Sequence, residues 1–326
     1  MKPKDVLTPA EMEILLKKAD VRGFIEICTS WGIIAFSFAI VALWPHLPTL
    51  FVPILVALVL LGNRHLALSI LVHDACHHAL FKTKALNEFF GKWFAAAPEL
   101  QSLTGYRQYH IQHHKYTGED YRGDKGDPDI ILTRNYPISK KSLRKWLIKD
   151  LTFRSAPRLY LGLLAMNLGL MKYDLSGRVV MLPQPKRNIF GWIFLGVKKL
   201  FPFLLSNAVI FTILFLVGQP WLYLLWIASA LTTFQFFTRI RSIAEHGMLP
   251  RVADMLQNTR TTEVSWWERL TFAPHHVNYH MEHHFLMAVP SYRLPQMHKI
   301  LKSRGVFDKV YVAQGYGDIL RLATAK

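Results

Sequence analysis

Four long apolar runs limit what this chain can fold into. A helix needs about 20 predominantly apolar residues to cross the hydrocarbon core of a bilayer. Runs close to that length occupy residues 24–44, 50–72, 200–217 and 220–238. Only the second is interrupted, by Asn63-Arg64-His65. A fifth stretch, 159–171, is too short to span and suits an interfacial or packed helix. Short joints, PHLPT at 45–49 and GQ at 218–219, pair the runs into two hairpins. The expected fold is an all-α integral membrane protein with four transmembrane helices and one domain over residues 1–326. Segments 73–199 and 239–326 would form a helical cap.

Charge orients the hairpins. The 39 basic residues outnumber the 22 acidic ones, and neither joint carries Lys or Arg. Lys17, Lys18 and Arg22 precede the first run, Lys198 and Lys199 precede the third, and Arg239 and Arg241 follow the fourth. The positive-inside rule therefore places both termini and the middle segment in the cytoplasm. The net charge of +17 reads as contact with anionic lipid. These charges flank spans and form no separate basic domain, so nucleic acid is not an expected partner. The N-terminal stretch 10–20 reads as an amphipathic helix rather than a cleavable signal. Two cysteines, Cys28 and Cys76, do not make a disulfide framework.

The chain's 15 histidines are concentrated on the same side of this map. HDACHH contributes His73, His77 and His78, HIQHH contributes His110, His113 and His114, and HMEHH contributes His280, His283 and His284. His246 follows the fourth run in RSIAEHG. The second run is expected to continue as one helix through the first cluster, stacking His73 and His77 at i and i+4. In a helical HIQHH the three rings fall within about 100° and all three can face one point. Imidazole suits Zn, Cu, Fe and Ni. Nine or ten converging rings exceed the needs of one four-coordinate ion and match two. Asp74, Glu245 and Glu282, inside or beside the clusters, are candidates to orient the rings. Spacing alone leaves a hydrolytic zinc site open. His46 and His298 are assigned no role.

HDACHH, HIQHH and NYHMEHH resemble the three histidine boxes of the membrane fatty acid desaturases and related hydroxylases. Flanking text agrees: GDPD at 126–129, NTRTT at 258–262 and VPSYRLPQMH at 289–298. The resemblance implies a mushroom-like helical fold and two Fe ions held by histidines, with O2 as co-substrate in oxidation of a lipid acyl chain. Carried over to this sequence, the ligands are His73, His77, His110, His113, His114, His280, His283 and His284, with His246 added from beyond the last span. His78 completes the candidate list. His280 stands where desaturases fused to cytochrome b5 often have Gln, and no HPGG haem-binding stretch occurs. An external donor, such as a ferredoxin or a protein of the cytochrome b5 type, is therefore expected. A bacterial inner membrane is the expected setting.

Three functions remain in view: a lipid desaturase, a hydroxylase of a lipid or carotenoid, and a membrane haem or metal-transport protein. The third expects ligands inside the spans, where only His65 lies. Trp226, Phe234, Phe236 and Phe237 either line an acyl channel or simply pack. Asn63, Arg64 and His65 suggest a headgroup contact. His275 and His276 are expected in a loop, in supporting or solvent roles.

Overall fold

A computed structural model describes residues 1–119, 126–133, 135–173 and 179–325, which are mostly helical. In chain order, α1 (Pro9–Leu16) leads into α2 (Asp20–Ala42) and α3 (Phe51–Cys76). Then α4 (Lys84–Phe90) runs through a π-helical turn, Gly91–Ala96, to α5 (Leu103–Tyr116). Helices α6 (Ile130–Thr133), α7 (Lys140–Leu151) and α8 (Ala156–Asn167) precede an antiparallel pair, β1 (Met171–Tyr173) with β2 (Val179–Met181). After α9 (Ile189–Leu216) come α10 (Tyr223–Leu231) and α11 (Thr233–His246). The last part holds α12 (Met255–Asn258), β3 (Arg260–Glu263), α13 (Trp266–Arg269) and α14 (His280–Phe285). It ends with α15 (Leu294–Ser303), β4 (Tyr311–Gln314) and α16 (Tyr316–Leu322). β3 and β4 pair in parallel, Arg260 opposite Tyr311 and Glu263 opposite Gln314.

Four segments are long and apolar enough to cross a membrane: Asp20–Ala42, Phe51–Cys76, Ile189–Leu216 and Pro220–His246. The third starts eleven residues earlier than its apolar run, because Asn188 caps the helix through Gly191 N at 2.8 Å. The fourth runs on past residue 238 but breaks at Thr232, whose φ of −126° and ψ of −86° separate α10 from α11. His246 is thereby the last residue of a helix belonging to the span. The stretch expected near 159–171 is α8, whose residues after Ala156 are partly exposed.

α3 is the central rod. From Leu61 to Cys76 every residue except Ser69 is buried, so this helix is surrounded on all sides. α2, α10 and α11 pack along it. Ile27, Ile34, Leu61, Leu68, Leu71 and Trp226 belong to one apolar core there. By contrast α9 buries only Asn207, Ile210 and Leu214, and its exposed Phe190, Phe194 and Phe215 suit contact with lipid. Trp226, Phe234 and Phe237 are buried and pack in the cores, and Phe236 is partly buried beside them. Asn63, Arg64 and His65 also face inward. Arg64 is only 4% exposed and donates to Asn63 Oδ1, so it does not reach the headgroups. Asn63 Nδ2 donates to Thr271 O at 2.8 Å. His65 Nδ1 meets Glu99 Oε1 at 2.8 Å, which pairs this histidine, buried inside the second span, with a carboxylate.

α3 and α11 approach closely at Gly62, where a Cβ would fall 2.1 Å from Thr233 Oγ1. That hydroxyl donates to Leu58 O at 2.6 Å. Gly62→Ala should therefore force the helices apart and lower the unfolding temperature of the detergent-purified protein. The expected cost is that of overpacking, about 1–3 kcal/mol. Gly32→Ala, with nothing within 4 Å of the new methyl, should leave the melting curve in place.

Candidate metal centre

Four helices bring nine of the ten candidate histidines together. His73, His77, His110, His114 and His283 form one group, and His113, His246, His280 and His284 form the other. Within each group the ligand atoms all lie within 4.8 Å of one another. α3 ends at Cys76, and His77 caps it one turn beyond His73. α5 gives His110 and His114 to the first group and His113 to the second. α14 does the reverse, giving His283 to the first and His280 and His284 to the second. α11 supplies His246. HIQHH therefore does not face one point: residues i and i+4 are about 40° apart, whereas i+3 lies on the other side of i.

His78 joins neither group. The helix has ended, His78 takes a left-handed φ of 51°, and the chain turns away. Its ring is partly exposed, with Nδ1 3.5 Å from Glu88 Oε1.

The inner nitrogens face one another. His73 Nε2 lies 2.9 Å from His283 Nε2, which lies 2.9 Å from His114 Nε2. His114 and His110 meet through Nε2 at 2.9 Å, and His280 and His246 at 2.8 Å. His77 Nε2 and His284 Nε2 are buried with no hydrogen-bond partner among the described residues. Burial holds His110, His114, His280, His283 and His284 well below the usual histidine range and brings His77 to about 2. These rings are neutral at physiological pH, so each keeps a ring-nitrogen lone pair that can bind a metal.

Outer nitrogens are held by acceptors. His73 Nδ1 lies 3.0 Å from Asp74 Oδ1, His113 Nδ1 2.7 Å from Asp127 Oδ1, and His246 Nδ1 3.0 Å from Asn258 O. His280 Nδ1 is 3.3 Å from Glu245 Oε1, and Arg241 Nε donates to the same oxygen at 2.7 Å. Thr117 Oγ1 donates to His113 O at 2.6 Å, so its lone pair takes the His284 Nδ1 proton at 3.3 Å. Acceptors on Nδ1 put the proton there and leave Nε2 free to bind a metal. His113 differs from its neighbours. Burial works to depress its pKa, but Asp129 and Asp127 carry it up to about 9.

Asp74 and Glu245 thus stand against ligand-candidate rings, but Glu282 does not. Two residues beyond His280, it sits on the far side of α14. There it accepts from Thr261 Oγ1 at 2.6 Å and meets His298 Nδ1 at 2.5 Å. His298 is consequently a buried anchor for α14. His275 binds Glu26 and Ser30 of α2, and His276 faces Arg269 at 3.0 Å. Both tie the 274–276 turn to its surroundings rather than to a histidine group. Sequence reasoning missed Asp127, Asn258 and Thr117 as ring partners. Their only signal was position, in or next to GDPD, NTRTT and the second cluster.

A family model, fatty acid desaturase, matches residues 21–316. The chain belongs to the fatty acid desaturase family. Relatives of this desaturase include dihydrorhizobitoxine desaturase of Bradyrhizobium elkanii, 26% identical over 79% of the chain and 70% of that protein. The sphingolipid delta(4)-desaturase/C4-monooxygenase of Mus musculus is 27% identical over 72% of the chain and 61% of its own length. Family membership makes the chain an oxidoreductase.

Two outcomes follow for metal loading of the purified desaturase. Asp127→Ala should weaken metal affinity by about 10–100-fold, the usual cost of removing a partner from a ligating histidine. Metal must also displace the second proton of His113. Apparent affinity should then rise by about tenfold per pH unit up to about pH 9 and level off above it. Competition titration against a chelator at several pH values reads both.

Proposed function

We propose that this desaturase uses two iron ions and O2 to introduce a double bond into a lipid acyl chain. The observation that carries the reading is the pair of histidine groups, nine converging rings of which five have the outer nitrogen held by an acceptor. All-imidazole donor sets suit iron among the transition metals, and membership of the fatty acid desaturase family supports iron as the choice from that set. In this reading His73, His77, His110, His114 and His283 hold one ion, and His113, His246, His280 and His284 hold the other.

Two irons bound there would supply O2-dependent oxidation of an unactivated C–H bond. Overall, two hydrogens leave adjacent methylenes, two further electrons and two protons enter, and O2 becomes two waters. The protein's own residues prepare this. Asp74, Asp127, Glu245, Asn258 and Thr117 fix ring orientation. Burial of the rings keeps bulk water away from the reacting carbons. Electrons come from an external carrier, a ferredoxin or a cytochrome b5-type protein, drawn to the basic surface by charge steering. The histidine groups and both termini lie on the cytoplasmic face, in a bacterial inner membrane. The cap comprises residues 73–199 and 239–326 of one domain, and the spans form two hairpins.

A second reading, hydroxylation, is favoured by one observation: the name of the mouse relative joins a desaturase to a monooxygenase. Both outcomes use one ligand set. Expression in a host lacking the chain, followed by lipid mass spectrometry, separates them. New acyl species lighter by two hydrogens, absent with His283→Ala, are expected. Species heavier by one oxygen would mean hydroxylation. Unchanged lipids from a protein that binds iron and is supplied with a competent electron donor would overturn both acyl reactions.

A further inference from the structure

A cavity of about 320 Å³ opens between the π-helical turn, α5, α8 and α9. Its lining is mixed. Leu103, Leu200 and Phe203 contribute apolar surface, and Ser102, Thr104 and Asn167 are polar. Lys92 from the π-helical turn and Lys199 from α9, both exposed, line it from separate elements, and Lys92 Nζ lies 4.8 Å over the Trp93 ring. The carboxylate on its wall, Glu88, is already engaged by Arg107 Nη2 at 2.7 Å and faces His78. The cavity is left with an excess of positive charge. Lys198 and Lys199 interrupt α9 between two apolar stretches, 189–197 and 200–216, and a lysine at such a break attracts anionic headgroups.

The cavity is also linked to the first histidine group through α3 and α5. Gln101 on its wall donates from Nε2 to Ser69 Oγ at 2.8 Å. Ser69 is one turn before His73 on α3. On α5, Leu103 at the cavity is two turns before His110, about 10 Å along the helix.

Building on the proposed acyl reaction, we propose that this cavity holds the anionic polar end of the substrate. That end is a carboxylate or phosphate carried by an acyl lipid, taken between Lys92 and Lys199. The walls match such a ligand: charge and hydroxyls for the head, leucine and phenylalanine for the first methylenes. Anchoring the head at a fixed distance from His73 and His110 also makes the reacting carbon one counted from the polar end.

The test uses the iron-loaded protein in neutral nanodiscs and compares wild type with the Lys92→Met/Lys199→Met double variant. Binding of dodecanoate, dodecyl phosphate and dodecyl maltoside is measured directly. The double variant should lose anionic-probe affinity on the order of tenfold or more, keeping maltoside affinity. Selective loss of dodecanoate or of dodecyl phosphate tells a carboxylate head from a phosphate head. Lys140→Met/Lys141→Met, on exposed α7 positions, should change nothing. Equal binding of the anionic probes to the Lys92/Lys199 variant, or equal loss of all three probes, overturns the proposal. Turnover gives a second readout. With saturated chains of increasing length, the new double bond should stay at one position from the polar end, and a position constant from the methyl end overturns the proposal. Lysine-dependent binding without oxidation of any acyl lipid would sink the acyl reaction but leave the anion site standing.

Discussion

The structure turns on an arrangement that is unfavourable by itself. Imidazole Nε2 atoms crowd to within 2.8–2.9 Å of one another in the protein interior. In water such rings would separate or pick up protons. Here burial blocks protonation, and four helices prevent separation. The cost is spread over the fold: α3 buried on every side, Gly62 surrendering its side chain for a close crossing, and carboxylates brought inside to hold outer nitrogens. A cation between the rings would convert that cost into binding free energy, because metal affinity and folding share one balance.

The repeated HxxHH spacing gains its use from this constraint. On a helix, i and i+4 stack while i+3 turns aside. α5 and α14 use the same spacing with opposite assignment, the first giving its i and i+4 rings to one group and the second giving them to the other. Two such helices, with one ring from each crossing to the other's group, fix the separation of the two groups without a bridging side chain. α3 then completes one group and α11 the other. His246 can do so because α11 does not end with the apolar run but continues two turns beyond it.

Much of this was legible because it rests on local periodicity. Apolar run length gave the four candidate spans, and the histidine clusters gave eight of the nine converging rings, with His246 read from beyond the fourth run. The failures share a cause, namely that they depend on where a helix stops or on what packs behind it. His78 carries the same side chain as His77, and only the end of α3 at Cys76 separates their directions. Glu282 sits inside a histidine cluster but on the wrong face of α14, and its partner His298 lies sixteen residues on. Asp127 and Asn258 reach the rings through tertiary packing, which no spacing rule reports. Arg64 looked like a snorkelling cation because its sequence neighbours are apolar, yet it is enclosed between helices.

The ligand set does not by itself choose between an alkene and an alcohol. Both begin with loss of one hydrogen from a methylene, and they part on whether a second hydrogen leaves the adjacent carbon or oxygen is added to the first. That choice depends on which hydrogen stands nearer the metals, a matter of fractions of an ångström in how the acyl chain is held. The rings are poor candidates for this discrimination, because five of them are already oriented by Asp74, Asp127, Glu245, Asn258 and Thr117. It must come from residues that grip the chain at a distance from the metals. The basic cavity at the start of α5 is built for that, because a head fixed between two lysines sets the register of every carbon that follows.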